Sequence, residues 1–412
     1  AGSSSSSCFG TGSLRKRPMP RCLFVALALA SLVPAGAQRR PAPEFEVSLD
    51  TDPEERFAEV VRHFNASIHA FYQKFCDNFA AKGLLFELAH KRGPENEELQ
   101  GEIKGVARLA GLPEYGIQAL QMVYELQTLM VPIENITLPW RGPGCTGILA
   151  VNKADGMVYH ARNLDFAPGK YMQDLAYVGI FTKSGKEVFR AQMIASYSFP
   201  LTAMKKGPNG FSLELNTRFL DHLGGNRQFL KNLLEEKRTF SGWTRRKLLE
   251  DAPDYETAVH GMATTPYIST EFNVIGGVRK GTILARNPDG LAYQLTLGQR
   301  NEQCRDDYVI ITNFDFVYHD VREWFDPTGG KGIGHPRRLA AQRVLNASDA
   351  LTPEVLFSAI NDFGVTAGDT IFQAVMSVEK GLWNVSLPAC RVCKGHANLA
   401  APIEIARAAI LV

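Results

Sequence analysis

The apolar residues change their spacing once along this 412-residue chain, and that change restricts the architecture more than any single motif. From about residue 52 to 131 they recur at helical intervals. Phe57, Val60, Val61, Phe64, Ile68 and Phe71 form one series with charged residues between them; Ile117, Leu120, Val123, Tyr124 and Leu126 form a second. Both are the stripes of helices packed on a core. Asp52-Pro53 puts a proline at an early helical position and is expected to open the first helix. From Cys145 onward the pattern is one of strands and turns. Residues 146–151 and 157–161 flank Asp155-Gly156, a strong hairpin signal. Residues 272–275, 282–285 and 308–312 read as further strands, punctuated by Gly276-Gly277 and Asp289-Gly290. Helical segments return near 228–236, 245–259 (with a break at Pro253) and 336–345. An α/β (α+β) class, with helices layered on a largely antiparallel sheet, satisfies both patterns. Residues 126–144, with Pro132, Asn135, Pro139, Gly142, Pro143 and Gly144, read as a loop, the kind of segment where chains are cut.

The first 37 residues stand apart from this fold. Arg15, Lys16, Arg17 and Arg21 precede an apolar stretch from Leu23 to Val33, and Ala35-Gly36-Ala37 follows with A-x-A spacing. That order is a secretory signal peptide, expected to be cut after Ala37, and the stretch is shorter than the roughly 20 residues a spanning helix needs. Without these four basic residues the formal charge of +2 becomes −2, which argues against a nucleic-acid partner. Cys8 and Cys22 leave with the segment; Cys76, Cys145, Cys304, Cys390 and Cys393 remain, an odd set that implies a free thiol in an oxidising compartment. Asn65, Asn135, Asn346 and Asn384 each open an Asn-x-Ser/Thr glycosylation signal, in keeping with the secretory route. Cys390 and Cys393 read as a local disulfide and not as half a zinc site, because no second pair accompanies them. The pairing of Cys76 with Cys304 stays open; compartment and count allow it to join the two halves of the chain. No G-x-S-x-G elbow, H-E-x-x-H pair or phosphate-loop spacing occurs, and no cofactor or metal is expected.

Cys145 follows the Pro/Gly-rich loop and starts a strand. With a two-residue turn at Asp155-Gly156, Thr146 faces Asp165 and Leu149 faces Arg162; a slip of a residue or two still leaves Arg162 and Asp165 near the end that carries Cys145. Local structure alone thus gathers a thiol, a guanidinium and a carboxylate, and a nearby cation raises the thiolate fraction of a cysteine. A buried thiol beside a surface ion pair fits the same spacing.

The run Cys145-Thr146-Gly147-Ile148-Leu149-Ala150, with His160-Ala161-Arg162-Asn163-Leu164-Asp165 after it, resembles the acid ceramidase and N-acylethanolamine acid amidase family, whose members carry C-T-S-I-V and H-G-R-N-x-D here. The resemblance extends to Phe45-Glu46-Val47-Ser48-Leu49-Asp50, Gly101-Glu102-Ile103-Lys104-Gly105, Tyr124-Glu125-Leu126, Ile275-Gly276-Gly277, Thr312-Asn313-Phe314-Asp315 and Pro336-Arg337-Arg338. It implies an N-terminal-nucleophile fold, a four-layer αββα sandwich with an N-terminal helical segment. It also implies a cut between Gly144 and Cys145 at acidic pH, giving a helical chain of residues 38–144 and a catalytic chain of residues 145–412. Cys145 would then be nucleophile through its thiol and base through its new α-amine. Arg162 and Asp165 would orient it, Asn313 would donate to the oxyanion, and Arg337 would complete the polar site. The expected substrate is a long-chain fatty amide, closer to the ceramide of the acid ceramidases than to an ethanolamide. Contact with a membrane surface and a saposin-like activator are the further partners implied, and the expected location is the secretory pathway, in a lysosomal or acidic vacuolar compartment or outside the cell. Three positions depart from the family's pattern. Gly147 replaces a serine, Thr217 a glutamate, and His335-Pro336 a pair of aspartates.

Overall fold

The computed structural model describes residues 39–77, 89, 92–94, 96–126, 144–166, 169–219, 231–235, 238–299, 305–315, 334–362, 364–366 and 370–388. The signal segment, Asn135, Cys304, Cys390 and Cys393 lie outside the described residues, as do the side chains of Cys76, His335 and Pro336.

Two sheets lie face to face. The first has the strand order β1 (Arg40–Pro41), β14 (Leu382–Leu387), β13 (Thr370–Ser377), β4 (Met157–Asp165), β3 (Gly144–Asn152), β12 (Tyr308–Ile311). The second runs β11 (Gly290–Thr296), β10 (Gly281–Asn287), β9 (Glu271–Gly277), β8 (Phe211–Thr217), β7 (Thr202–Lys205), β6 (Lys186–Ile194), β5 (Ala176–Lys183), β2 (Glu44–Ser48). All pairings are antiparallel except β2 with β5. The helices are α1 (Ala58–Asp77), α2 (Glu97–Ala110), α3 (Glu114–Gln121), α4 (Val123–Leu126), α5 (Gly169–Gln173), α6 (Ser241–Asp251), α7 (Tyr255–Thr264), α8 (Gly334–Asn346) and α9 (Pro353–Asn361).

Alternation along the strands builds the layers. On β3, Ile148 and Ala150 pack outward against Ala341, Leu345, Leu356 and Ile360 of α8 and α9. Leu149, between them in sequence, points inward to Phe272, Val274, Ile283 and Ala285 of the second sheet. Leu213, Leu215 and Ile275 face outward from the second sheet in one cluster with Leu249, Ala258 and Met262 of α6 and α7. The order is therefore helices, sheet, sheet, helices: the αββα sandwich that the resemblance implies. Strands buried on both faces read as near-continuous apolar runs, which is how residues 272–275, 282–285 and 308–311 present themselves.

The helical half forms as its periodicity predicts: Phe57, Val60, Val61, Phe64, Ile68 and Phe71 are all buried. The helix opens later than Asp52-Pro53, because Asp52 caps a turn, its Oδ1 accepting from Glu54 N at 2.9 Å and its carbonyl from Glu55 N at 2.9 Å. This half is also not purely helical; β1 and β2 extend one edge of each sheet. A buried ion cluster fastens it to the rest. Glu102 of α2 accepts from Arg56 Nη1 at 2.7 Å and from Arg246 Nη2 of α6 at 2.7 Å, with all three side chains out of solvent. Breaking a buried pair on one side leaves uncompensated charge, so Glu102→Ala is expected to destabilise the fold by about 3–5 kcal/mol. Urea melting checks this; a loss under about 1 kcal/mol would show that the arginines find other partners.

The β3–β4 hairpin differs in register from the two-residue expectation. Asn152 pairs with Met157 across a four-residue turn. Gly156 N and Asp155 N both donate to Asn152 O, at 2.7 and 3.3 Å, and Asn152 Oδ1 accepts from Ala154 N at 3.2 Å. An asparagine that bonds its own turn competes with continued pairing, and Gly156 takes the left-handed conformation, φ 71°, that closes it. Leu149 consequently faces His160, Gly147 faces Arg162, and Gly144 faces Asp165. A shift of two residues keeps every side chain on its expected face.

Candidate active site

Cys145 sits at the second position of β3 and is buried; it is the free cysteine among the described residues. Its thiol lies on the face turned toward the second sheet, as does Arg162. The Arg162 Nη2 reaches the thiol at 3.7 Å and donates to the Leu215 carbonyl at 2.7 Å, while Nη1 donates to Leu201 O at 2.5 Å and to the Thr202 hydroxyl. Backbone carbonyls of β8 and of the turn before β7 therefore fix the guanidinium. Burial pushes the Cys145 thiol up, and the charge of Arg162 pulls against it. The lowering expected from Arg162 alone is thus outweighed by loss of water around the sulfur.

The peptide nitrogen of Cys145 has its own partner. Asn313, just past β12, accepts from Cys145 N through Oδ1 at 2.7 Å. The same oxygen accepts from Arg337 Nη2 at 2.8 Å, and the Asn313 amide donates to Thr217 O at 2.8 Å. Two donors on one side and a carbonyl on the other fix the amide's orientation. Asn313 thus offers the Cys145 backbone nitrogen an acceptor.

Arg337, in the first turn of α8, covers the backbone of Cys145 from the helix side. Its Nη1 donates to Cys145 O at 2.8 Å and to Thr146 Oγ1 at 3.4 Å, and stands 3.7 Å from Asp165 Oδ2. A Cβ on Gly144 would come within 2.8 Å of that Nη1, so a larger residue before Cys145 would displace the guanidinium. Asp165 also accepts from the Thr370 hydroxyl. It belongs to the Arg337 side of β3, away from the thiol. The five expected site residues thus converge on Cys145, with Asn313, Arg337 and Asp165 on the side of its backbone and Arg162 beside the thiol.

Tyr124 is a member of the site that its apolar neighbours concealed. Its ring stacks on Phe166 at 5.6 Å, and its hydroxyl donates to Leu215 O at 3.1 Å and lies 3.7 Å from the Cys145 sulfur. Burial, and then the neighbouring Cys145, hold its phenol well above the ordinary tyrosine range, so it stays neutral. Among the described residues no group of three or more His, Cys, Asp or Glu side chains could hold a metal ion.

Comparison with known proteins fits this geometry. Residues 40–95 match the family model described as the beta subunit of N-acylethanolamine-hydrolyzing acid amidase. Acid ceramidase of Heterocephalus glaber is 26% identical over 380 residues, spanning 85% of this chain and 87% of that protein. N-acylethanolamine-hydrolyzing acid amidase of Caenorhabditis elegans is 25% identical over 303 residues, spanning 71% of this chain and 80% of that one. The chain is thus similar to acid ceramidases and to N-acylethanolamine-hydrolyzing acid amidases along most of its length. A solved structure of the Caenorhabditis elegans N-acylethanolamine-hydrolyzing acid amidase ortholog aligns over 58% of this chain and 94% of its own, with a TM-score of 0.47 at 23% identity. The sequons at Asn65, Asn346 and Asn384 stand on exposed residues. Among the described residues no helix is long and apolar enough to cross a membrane. Asn313 and Arg337 reach the site although 168 and 192 residues separate them from Cys145. Arg337 does so despite the departures at His335 and Pro336.

Proposed function

We propose that this protein is a cysteine amidohydrolase that cuts itself between Gly144 and Cys145 and then cleaves the amide bond of N-acyl-sphingoid lipids. One observation carries the reading: the thiol, peptide nitrogen and carbonyl of Cys145 each have a dedicated polar partner, in Arg162, Asn313 and Arg337.

In the self-cleavage step the Cys145 sulfur attacks the Gly144 carbonyl carbon. The C–N bond breaks, the nitrogen takes up a proton, and a thioester joins Gly144 to the sulfur until water hydrolyses it. The new α-amine inherits the hydrogen bond to Asn313 Oδ1. Model α-amines titrate near ~7.7–8.0, and burial beside the positive charge of Arg337 pushes such a group down. A free amine is then available as general base at mildly acidic pH. In turnover it takes the thiol proton, the thiolate attacks the acyl carbon, and the amine product leaves with that proton. Water releases the fatty acid from the thioester. Arg162 holds the sulfur, and Asp165 holds Arg337.

The segment from Phe211 to Asn216 and the Cys390/Cys393 pair favour ceramide. The ethanolamide reading shares the scaffold and the similarity to acid amidases. Membrane contact, a saposin-like activator and an acidic secretory compartment belong to the same proposal. The deciding experiment incubates the secreted protein at acidic pH, sequences the N-termini that appear, and compares hydrolysis of an N-acylsphingosine with that of an N-acylethanolamine. A terminus reading Cys-Thr-Gly-Ile-Leu with faster ceramide hydrolysis is expected. Faster ethanolamide hydrolysis would transfer the assignment to the acid amidases. An uncut chain with no turnover would mark a catalytically silent lipid-binding glycoprotein.

A further inference from the structure

Beneath the nucleophile strand, between the two sheets, lies a carboxylate that nothing above uses. Along β8 the apolar Phe211, Leu213 and Leu215 point outward, so Ser212, Glu214 and Asn216 point into the space between the sheets. Glu214 is fully buried there. It fits because position 147 has no side chain: a Cβ on Gly147 would stand 2.6 Å from Glu214 Oε1 and 2.9 Å from Oε2. One oxygen, Oε2, is 2.7 Å from His160 Nε2, and His160 Nδ1 is 2.8 Å from the Ser212 hydroxyl. That hydroxyl can donate to His160, or accept from it while donating to Gly276 O at 3.4 Å, so it suits either charge state of the imidazole. The other oxygen, Oε1, faces Arg162 Nε at 3.8 Å, and neither atom has a hydrogen-bond partner of its own.

Arg162 thus presents one edge to a carboxylate and another to the Cys145 thiol. An arginine removed from water needs a counter-charge. Before the thiol ionises, Glu214 is the carboxylate within ion-pairing distance among the described residues. Once the thiolate forms, the two anions share one guanidinium. We propose that Glu214, admitted by Gly147 and held by His160, is a positioning residue for the nucleophile: it is the resting counter-ion of Arg162 and sets how much of that charge reaches the Cys145 thiol.

The groups facing Glu214 are few. β4 contributes His160 and Arg162, and β3 contributes the bare backbone of Gly147 with Cys145 two residues away. On β7 its cross-strand partner is Thr202, whose hydroxyl is engaged by Arg162; on β9 it is Val274. α4 brings the Tyr124 hydroxyl to the neighbouring Leu215 carbonyl. Burial works to lower Arg162, and Glu214 first, then Cys145, more than offset it.

This inference rests on Cys145 being the nucleophile, and its test does not need a substrate. The rate at which iodoacetamide alkylates Cys145, followed on the Cys145 peptide by mass spectrometry across pH, reports the thiol's ionisation in whichever form of the protein purifies. In Glu214→Gln, which keeps the shape and removes the charge, the midpoint of that profile is expected to fall by about one pH unit, a roughly tenfold faster alkylation below the midpoint. A merely structural glutamate would lower the melting temperature and leave the midpoint where it was. A folded Glu214→Gln protein with an unchanged or raised midpoint overturns the proposal. If that variant does not accumulate, Gly147→Ala is measured instead. Its methyl group drives the carboxylate away from Arg162 with both charges kept, and the same downward movement is expected, an unchanged or raised midpoint again overturning the proposal. A wild-type protein that alkylates at Cys145 yet hydrolyses neither lipid amide would sink the amidase reading alone.

Discussion

Cys145→Ala is expected to leave the chain whole at acidic pH and to abolish turnover, by about 10⁴-fold or more. The effect is doubled in its origin. In the proposed mechanism the same sulfur is the nucleophile of the self-cleavage step and of the reaction that follows, and the same residue supplies the α-amine that serves as base. An alanine removes the sulfur, and by blocking the cut it also keeps the base locked in a peptide bond. Gel electrophoresis after acid incubation, together with hydrolysis of a fluorescent fatty amide, reads both consequences. The melting temperature should change little, since alanine fills much of the space and the polar partners of the backbone, Asn313 and Arg337, do not touch the sulfur. A Cys145→Ala chain that still splits before residue 145 would refute self-cleavage by this thiol.

The second large effect is expected at Asn313. Its oxygen is the acceptor for Cys145 N and for Arg337 Nη2, so Asn313→Ala strands two buried donors together. Mature enzyme would lose the group that orients its α-amine, and general-base catalysis of this kind contributes about 10²–10⁴-fold. A fall in kcat of at least about a hundredfold with KM nearly unchanged is expected, along with slower self-cleavage. An equal rise in KM with kcat intact would instead assign Asn313 to substrate binding. Asn313→Asp separates geometry from charge. It keeps an acceptor toward Cys145 N, places a carboxylate beside Arg337, and turns the Thr217 contact into an acceptor facing an acceptor. It should therefore recover part of the cleavage rate and little of the stability.

These residues were legible in the sequence to different depths. Cys145, Arg162 and Asp165 share one hairpin, so strand alternation and a turn signal sufficed to gather them. The error was the turn's length, which Asn152 sets by bonding its own loop, and a two-residue slip hides such an error because it moves no side chain to the other face. Asn313 and Arg337 arrive from far along the chain, and only resemblance to a family could propose them. β5 to β8, β11, β13 and β14 were not anticipated, nor were the edge strands β1 and β2. On β8 the alternation is plain, but its polar members point between the sheets and its apolar members toward the helices, so polarity there does not mark the solvent side. Tyr124 was read by its ring alone. Its place in an apolar helical series is real, since the ring stacks on Phe166, and no spacing rule reveals that the hydroxyl emerges beside the sulfur.

The segment before Gly144 supplies an edge strand to each sheet, the Glu102 anchor for Arg246, and a hydroxyl next to the thiol. In the uncut polypeptide, refolding after a disturbance depends on no one's concentration. If the proposed cut occurs, the same contacts hold two molecules together, and their recovery from unfolding becomes a second-order event that dilution penalises. Maturation of this protein would thus act as a ratchet. The active molecule would be reached easily from its precursor and poorly from its own separated pieces, so its lifetime would be governed by how slowly the two chains let go.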